Sequence, residues 1–239
     1  MSAPSVLVIV PTYNERENLP VLVQGLMAHE NLRVLVVDDQ SPDGTGALAD
    51  ELAVRYPGRI DVMHRTGKRG LGRSYVDGIK WAVGQPVDFI GQMDADLSHD
   101  PAQIDRLVAA APSADVVIGS RYIPGGEIVN WPAKRKLLSR FANIYIRLIT
   151  RIASRDCTSG YRCWRRDALA ALPLDRIESD GYSFLTEMLF MATLRGYRVA
   201  EVPITFVERR LGQSKLSSGV LLESAITPWR LQARRGESR

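Results

Sequence analysis

The chain has little cysteine. Cys157 and Cys163 are the two present among 239 residues, too few for a disulfide framework and in keeping with a reducing compartment. They read as small, semi-buried residues. Histidine is as scarce: His29, His64 and His99 fall at unrelated places and give no metal-ligand spacing. No run approaches the roughly 18 apolar residues that a bilayer span needs. The N-terminal stretch lacks a basic region, and its apolar run Val6 to Val10 is only strand-length, so a signal peptide is not expected. There is no G-x-G-x-x-G after the first apolar strand and no P-loop lysine motif, which argues against NAD and against a P-loop nucleotide.

What is there suffices for a sizeable core. With 45% hydrophobic and 24% charged residues, the composition is that of a folded chain, and one domain covering residues 1–239 is expected. The net charge of +4 hides an asymmetry: residues 1–130 carry 11 Lys and Arg against 17 Asp and Glu, residues 131–239 carry 20 against 10. The second half is therefore suited to an anionic partner, whether phosphate groups, a membrane surface or nucleic acid.

The stretch Val87 to Asp100, VDFIGQMDADLSHD, runs an apolar strand directly into acids. Ligands of open α/β sheets bind outside the carboxyl ends of the strands. Asp94 and Asp96 stand at such an end, and two carboxylates there suit a hard divalent cation, Mg²⁺ or Mn²⁺, shared with a substrate diphosphate. Aspartates also recur at strand ends for backbone hydrogen bonding alone. Here Asp100-Pro101 supplies a helix start, with a capping side chain and proline at the first helical position.

The rest of the first half alternates strand and helix. Strands are expected at Ser5–Val10, Arg33–Val37, Ile60–His64, Val87–Met93 and Asp115–Gly119, with helices between them. A doubly wound, mostly parallel α/β sheet with helices on both faces is the architecture this predicts. Pro11 to Glu15 reads as a turn ending the first strand. Tyr13, Asp38, Asp39, Lys68, Asp94 and Asp96 should then crowd one crevice, where a nucleotide would lie.

Beyond Ser120 the pattern changes. Tyr122 to Pro132 reads as a loop. From Lys134 to Ile152 apolar residues recur at three-and-four spacing, with Lys136, Arg140, Arg147 and Arg151 on another face. Such a helix either lies in a membrane interface or packs its apolar stripe on the sheet. Asp156 to Arg165 reads as a loop entering a strand, and Phe184 to Arg195 as a helix. Val199 to Phe206 is a last strand, at an edge because of Pro203. A basic loop, Glu208 to Lys215, suits anionic oxygens, and Val220 to Arg234 reads as a helix broken at Pro228. No helix-turn-helix or aromatic stacking motif supports nucleic acid.

Several pieces taken together resemble the family 2 glycosyltransferases of GT-A type, and closely the polyprenol (dolichol) monophosphate mannose synthases. These are Pro11-Thr12-Tyr13-Asn14-Glu15, Val37-Asp38-Asp39 with Ser41-Pro42-Asp43-Gly44-Thr45, Asp94-Ala95-Asp96-Leu97, Gly119-Ser120-Arg121-Tyr122, Asn130-Trp131-Pro132 and Arg209 to Lys215. The resemblance implies a GT-A fold and inverting transfer of mannose from GDP-mannose to a polyprenyl monophosphate on the cytoplasmic face of a membrane. It implies residues 1–122 as the nucleotide-sugar and metal part, 123–220 as the acceptor and membrane part, and 221–239 as a terminal helix and tail.

Carried over, Pro11, Tyr13, Glu15, Asp38, Asp39, Lys68, Ala95, Arg121, Arg209 and Lys215 should hold the donor. Asp94 and Asp96 should engage Mg²⁺ or Mn²⁺, and Arg121, Arg135, Ser139 and Arg209 the acceptor phosphate. The catalytic set is Asp94, Asp96, Arg121 and Arg209. Ser98 stands where relatives often have a glutamine ligand. Some relatives carry membrane-spanning helices and others recruit a membrane subunit, so attachment to a membrane surface, or a membrane-spanning partner or domain, is implied. Glucosyl transfer from UDP-glucose is the alternative chemistry, and a non-catalytic nucleic-acid-binding module the alternative of another class.

Overall fold

A computed structural model describes residues 4–208 and 218–235. Its centre is a seven-stranded sheet in the order β3-β2-β1-β4-β7-β5-β8, built from β1 (Val6–Thr12), β2 (Leu32–Asp38), β3 (Ile60–His64), β4 (Phe89–Gln92), β5 (Val116–Ser120), β7 (Arg162–Arg165) and β8 (Val199–Pro203). β6 (Glu127–Val129) and β9 (Thr205–Val207) form a parallel pair beside it. The helices are α1 (Leu19–Met27), α2 (Thr45–Arg55), α3 (Leu71–Ala82), α4 (Ile104–Ala110), α5 (Ala133–Thr150), α6 (Arg166–Ala170), α7 (Ser183–Leu194) and α8 (Ser218–Arg234).

Alternate residues of each strand enter opposite cores, as the two-residue period demands. Leu7, Ile9, Leu35 and Val37 join α3 and α7 on one face. Val6, Val8, Val10, Val34 and Val36 join α1 and α4 on the other. A sheet covered on both faces is the reason the first strands read as continuous apolar runs.

Four expectations are corrected. β1 runs on through Pro11 and Thr12, in register with Val37 and Asp38. Thr12 O accepts from Asp39 N and Ile9 O from Met93 N, so Pro11 lacks its N–H on the β4 side, where β4 has already ended. The expected loop 122–132 contains β6. The expected last strand is two strands: β8 is the sheet edge, and after Ile204, β9 leaves it to pair with β6. Finally, α8 runs through Pro228 unbroken. Proline withholds one helical N–H, and near it the Tyr145 hydroxyl donates to the Ala225 carbonyl at 2.8 Å.

Candidate active site

Three neighbouring strands end at one rim, and each is followed by a left-handed residue that is not glycine: Asn14 after β1, Gln40 after β2 and Leu97 after β4, with φ of 60°, 61° and 59°. Leucine is strained there, and such strain gathers at functional sites. Around Leu97 the chain bends tightly, with Ser98 N donating to Asp96 Oδ1 at 3.1 Å.

Asp94 lies beyond the carboxyl end of β4, its side chain 27% exposed. Its Oδ1 accepts from the Tyr75 hydroxyl at 3.3 Å. A Cβ on Gly160 would stand 3.0 Å from Asp94 Oδ2, so glycine is needed for that close approach. Ala95 is buried and Asp96 half-buried. Among the described residues no three His, Cys, Asp or Glu side chains gather into a ready cage. Two carboxylates at a strand end nevertheless fit Mg²⁺ or Mn²⁺, which commonly keep water and substrate phosphate as their other ligands. Ser98 is buried.

The loop after β3 and the first turn of α3 tie several of the remaining residues together. Asp39 accepts from Gly70 N at 2.8 Å and from the buried Arg65 guanidinium. Arg69 donates to the Tyr13 hydroxyl at 2.7 Å. Lys68 and Arg73 both bind Asp180, each at 2.6 Å. Glu15 accepts from Asn18 Nδ2 at 2.7 Å, while its own N–H donates to Thr45. Asp38 differs from its neighbour: its buried carboxylate accepts from the Thr12 hydroxyl and Ser41 N and approaches Gly46 of α2. Asp38 and Asp39 thus take separate sets of partners, Asp38 at the start of α2 and Asp39 at Arg65 and Gly70.

Arg121 follows β5 and is buried. Its Nε and Nη2 each donate to Asp156 at 2.7 Å, and Nη2 also reaches Thr158 Oγ1 at 2.8 Å; none of these bonds uses Nη1. Burial would lower the guanidinium pKa, but Asp156 raises it above the ordinary value. The aromatic faces of Tyr122 and Phe206 lie 5.4 and 5.2 Å from the guanidinium carbon. Asn143 of α5 donates to Thr158 at 3.2 Å, and Ser139 of α5 accepts from the Tyr122 hydroxyl at 2.7 Å. Arg135 stacks 3.9 Å over Trp131 and pairs with Glu208 at 2.6 Å. Arg209 and Lys215 lie outside the described residues.

Helix α5 does not bury its apolar stripe. Asn143, Ile146 and Thr150 face the protein, while Leu137, Phe141 and Leu148 are 71%, 62% and 76% exposed, with Leu138 and Ile144 also open. Ile226 and Trp229 of α8 are exposed as well. Trp229 Nε1 donates to the Tyr145 hydroxyl at 2.8 Å, tying the two helices together. Of the two readings of this stripe, packing on the sheet is the one that these exposures do not fit. Among the described residues no helix is long and apolar enough to cross a membrane.

Sequence reasoning missed Arg65, Tyr75, Asp156, Thr158 and Asp180, whose partners are remote in the chain. The DCTSGYR segment was the available signal for Asp156, since a polar run entering a strand is where a counter-ion for Arg121 could sit.

Residues 7–172 match glycosyl transferase family 2. The chain belongs to that family. Over 238 residues it is 47% identical to the polyprenol monophosphomannose synthase of Mycolicibacterium smegmatis, covering 98% of this chain and 89% of that one. Over 232 residues it is 49% identical to the undecaprenyl-phosphate mannosyltransferase of Micrococcus luteus, covering 96% and 95%. The glucosyl-3-phosphoglycerate synthase of Mycobacterium tuberculosis, solved with Mn²⁺, UDP-glucose and phosphoglyceric acid, shares the fold of this glycosyl transferase. The TM-score is 0.67 at 17% identity, covering 98% of this chain and 80% of that one.

Proposed function

We propose that this glycosyl transferase moves mannose from GDP-mannose to a polyprenyl monophosphate at the cytoplasmic face of a membrane, inverting the sugar carbon. One observation carries the acceptor side of this reading. The helix that exposes Leu137, Phe141 and Leu148 holds, on its opposite face, the Arg121–Asp156–Thr158 cluster through Asn143. A lipid phosphate is the acceptor suited to a phosphate-binding arginine set behind an apolar, basic surface. The names of the two relatives point the same way.

In this reading residues 1–122 hold the donor, 123–220 the acceptor and membrane surface, and 221–239 a terminal helix and tail, all within one domain. Asp94 and Asp96 would hold Mg²⁺ or Mn²⁺, and a cation bound there would supply Lewis-acid stabilisation of a diphosphate leaving group. Tyr13, Glu15 and Asp39 form the wall for the nucleotide, with Pro11 at its floor. Arg121, Arg135 and Ser139 receive the acceptor phosphate. That phosphate needs no strong base, because a monoester's second pKa is about 6 and its oxygen is already largely ionised near neutrality.

The deciding assay offers radiolabelled GDP-mannose and UDP-glucose, separately, to the protein with a polyprenyl phosphate, with and without chelator. Chelator-sensitive, β-linked mannosyl lipid from GDP-mannose is expected, and Asp94→Ala should lower the rate at least a thousandfold. Glucosyl lipid alone would replace mannose by glucose in the proposal. A product of retained configuration would rule out direct displacement.

A further inference from the structure

His99 lies three residues beyond Asp96 and is 1% exposed. Its ring is wedged between Tyr161, 5.0 Å away and tilted, and Phe206 of β9, 5.3 Å away and edge-on. A backbone bridge joins His99 to Phe206. Within this apolar clamp the ring nitrogen Nδ1 is buried and has no hydrogen-bond partner. It stands 3.9 Å from Asp94 Oδ2.

Leaving a buried polar atom unsatisfied costs free energy. Phenylalanine would fill the same clamp without that cost, so packing alone gives no reason for histidine. Within 4 Å of the orphan nitrogen stands one carboxylate oxygen, Asp94 Oδ2, and the gap exceeds a hydrogen bond by about 1 Å. The other oxygen of Asp94 already accepts from the Tyr75 hydroxyl.

We propose that His99 is a positioning residue for the cation site: with donor and cation bound, its Nδ1–H donates to Asp94 Oδ2 and fixes the plane of that carboxylate. Tyr75 on one oxygen and His99 on the other then hold Asp94 against rotation. The clamp by Phe206 matters here because β9 leads into the basic segment that begins at Glu208. His99 is thus packed against both the metal-side turn and the strand feeding the acceptor side. This inference rests on Asp94 as a cation ligand, and metal-ligating carboxylates are commonly oriented by such partners, whose loss weakens metal affinity about 10- to 100-fold.

The test uses the whole chain with GDP and Mn²⁺, following free Mn²⁺ by electron paramagnetic resonance, with urea unfolding in parallel. His99→Phe keeps an aromatic ring in the clamp and removes Nδ1; His99→Asn places an amide N–H near the same point. His99→Phe should weaken Mn²⁺ binding at least tenfold without lowering the urea midpoint, and His99→Asn should restore it to within about threefold of wild type. Asp94→Ala should abolish it. Wild-type Mn²⁺ affinity in His99→Phe, alongside loss in Asp94→Ala, would overturn the role of His99 and leave the metal site standing. His99→Asn binding no better than His99→Phe would overturn it too, and wild-type affinity in Asp94→Ala would overturn the metal site and this inference together.

Discussion

Arg121 and Asp156 meet as a bidentate pair with side chains 7% and 0% exposed, which leaves beside β5 a neutralised guanidinium with its Nη1 edge uncommitted to that pair. Removing one member strands the other charge in the interior, which costs about 3–5 kcal/mol. Asp156→Ala should lose stability of that order in urea unfolding. Replacing both, with Arg121→Met and Asp156→Leu, should recover most of it while mannosyl transfer stays lost. An Asp156→Ala protein within about 1 kcal/mol of wild type would contradict the pairing.

The same pair sets an acid limit. Burial would raise the Asp156 carboxyl, but the charge and hydrogen bonds of Arg121, with the Thr158 N–H, hold it below the ordinary value. Its folded pKa is therefore lower than the unfolded one, about 3.9. The stabilisation is complete above that unfolded value and is lost as pH falls through the folded one. Urea midpoints should drop as the pH is taken below about 4, and the Met/Leu double variant should drop less steeply. Parallel curves for the two proteins would remove Asp156 as a cause.

The apolar stripe of α5 offers a test that separates surface from core. Leu137, Phe141 and Leu148 are exposed, so Leu137→Ser with Leu148→Ser should change the unfolding free energy by no more than about 0.5 kcal/mol. Each leucine moved from water into lipid is worth about 1.5–3 kcal/mol. Flotation with anionic liposomes should therefore fall by two orders of magnitude or more. A marked loss of stability with unchanged flotation would assign the stripe to packing.

Burial pushes the thiols of Cys157 and Cys163 up to about 12. Neither should react with a disulfide reagent at pH 8 in the folded protein, since the thiolate is the nucleophile. Both should react at once in guanidinium. Rapid labelling of the native protein would show that the region between β4 and β5 opens readily.

By itself the sequence determined the strand-helix order, the sites of most turns and the placing of Asp94 and Asp96 at the end of β4, because periodicity, capping and strand termination are local properties. The motif pattern across the chain carried the family. Tertiary structure decided what local spacing cannot contain. It inserted β7 antiparallel between β4 and β5, and it divided 199–206 between two sheets. It gave Asp38 and Asp39 separate partners and paired Arg121 with a carboxylate 35 residues later. For α5 the spacing marked an apolar face but could not name its neighbour: Asn143 is drawn inward by hydrogen bonds with Thr158 Oγ1 and the Cys157 N–H, which leaves the leucines outside. A period fixes which residues share a face, and only the packed chain decides what that face meets.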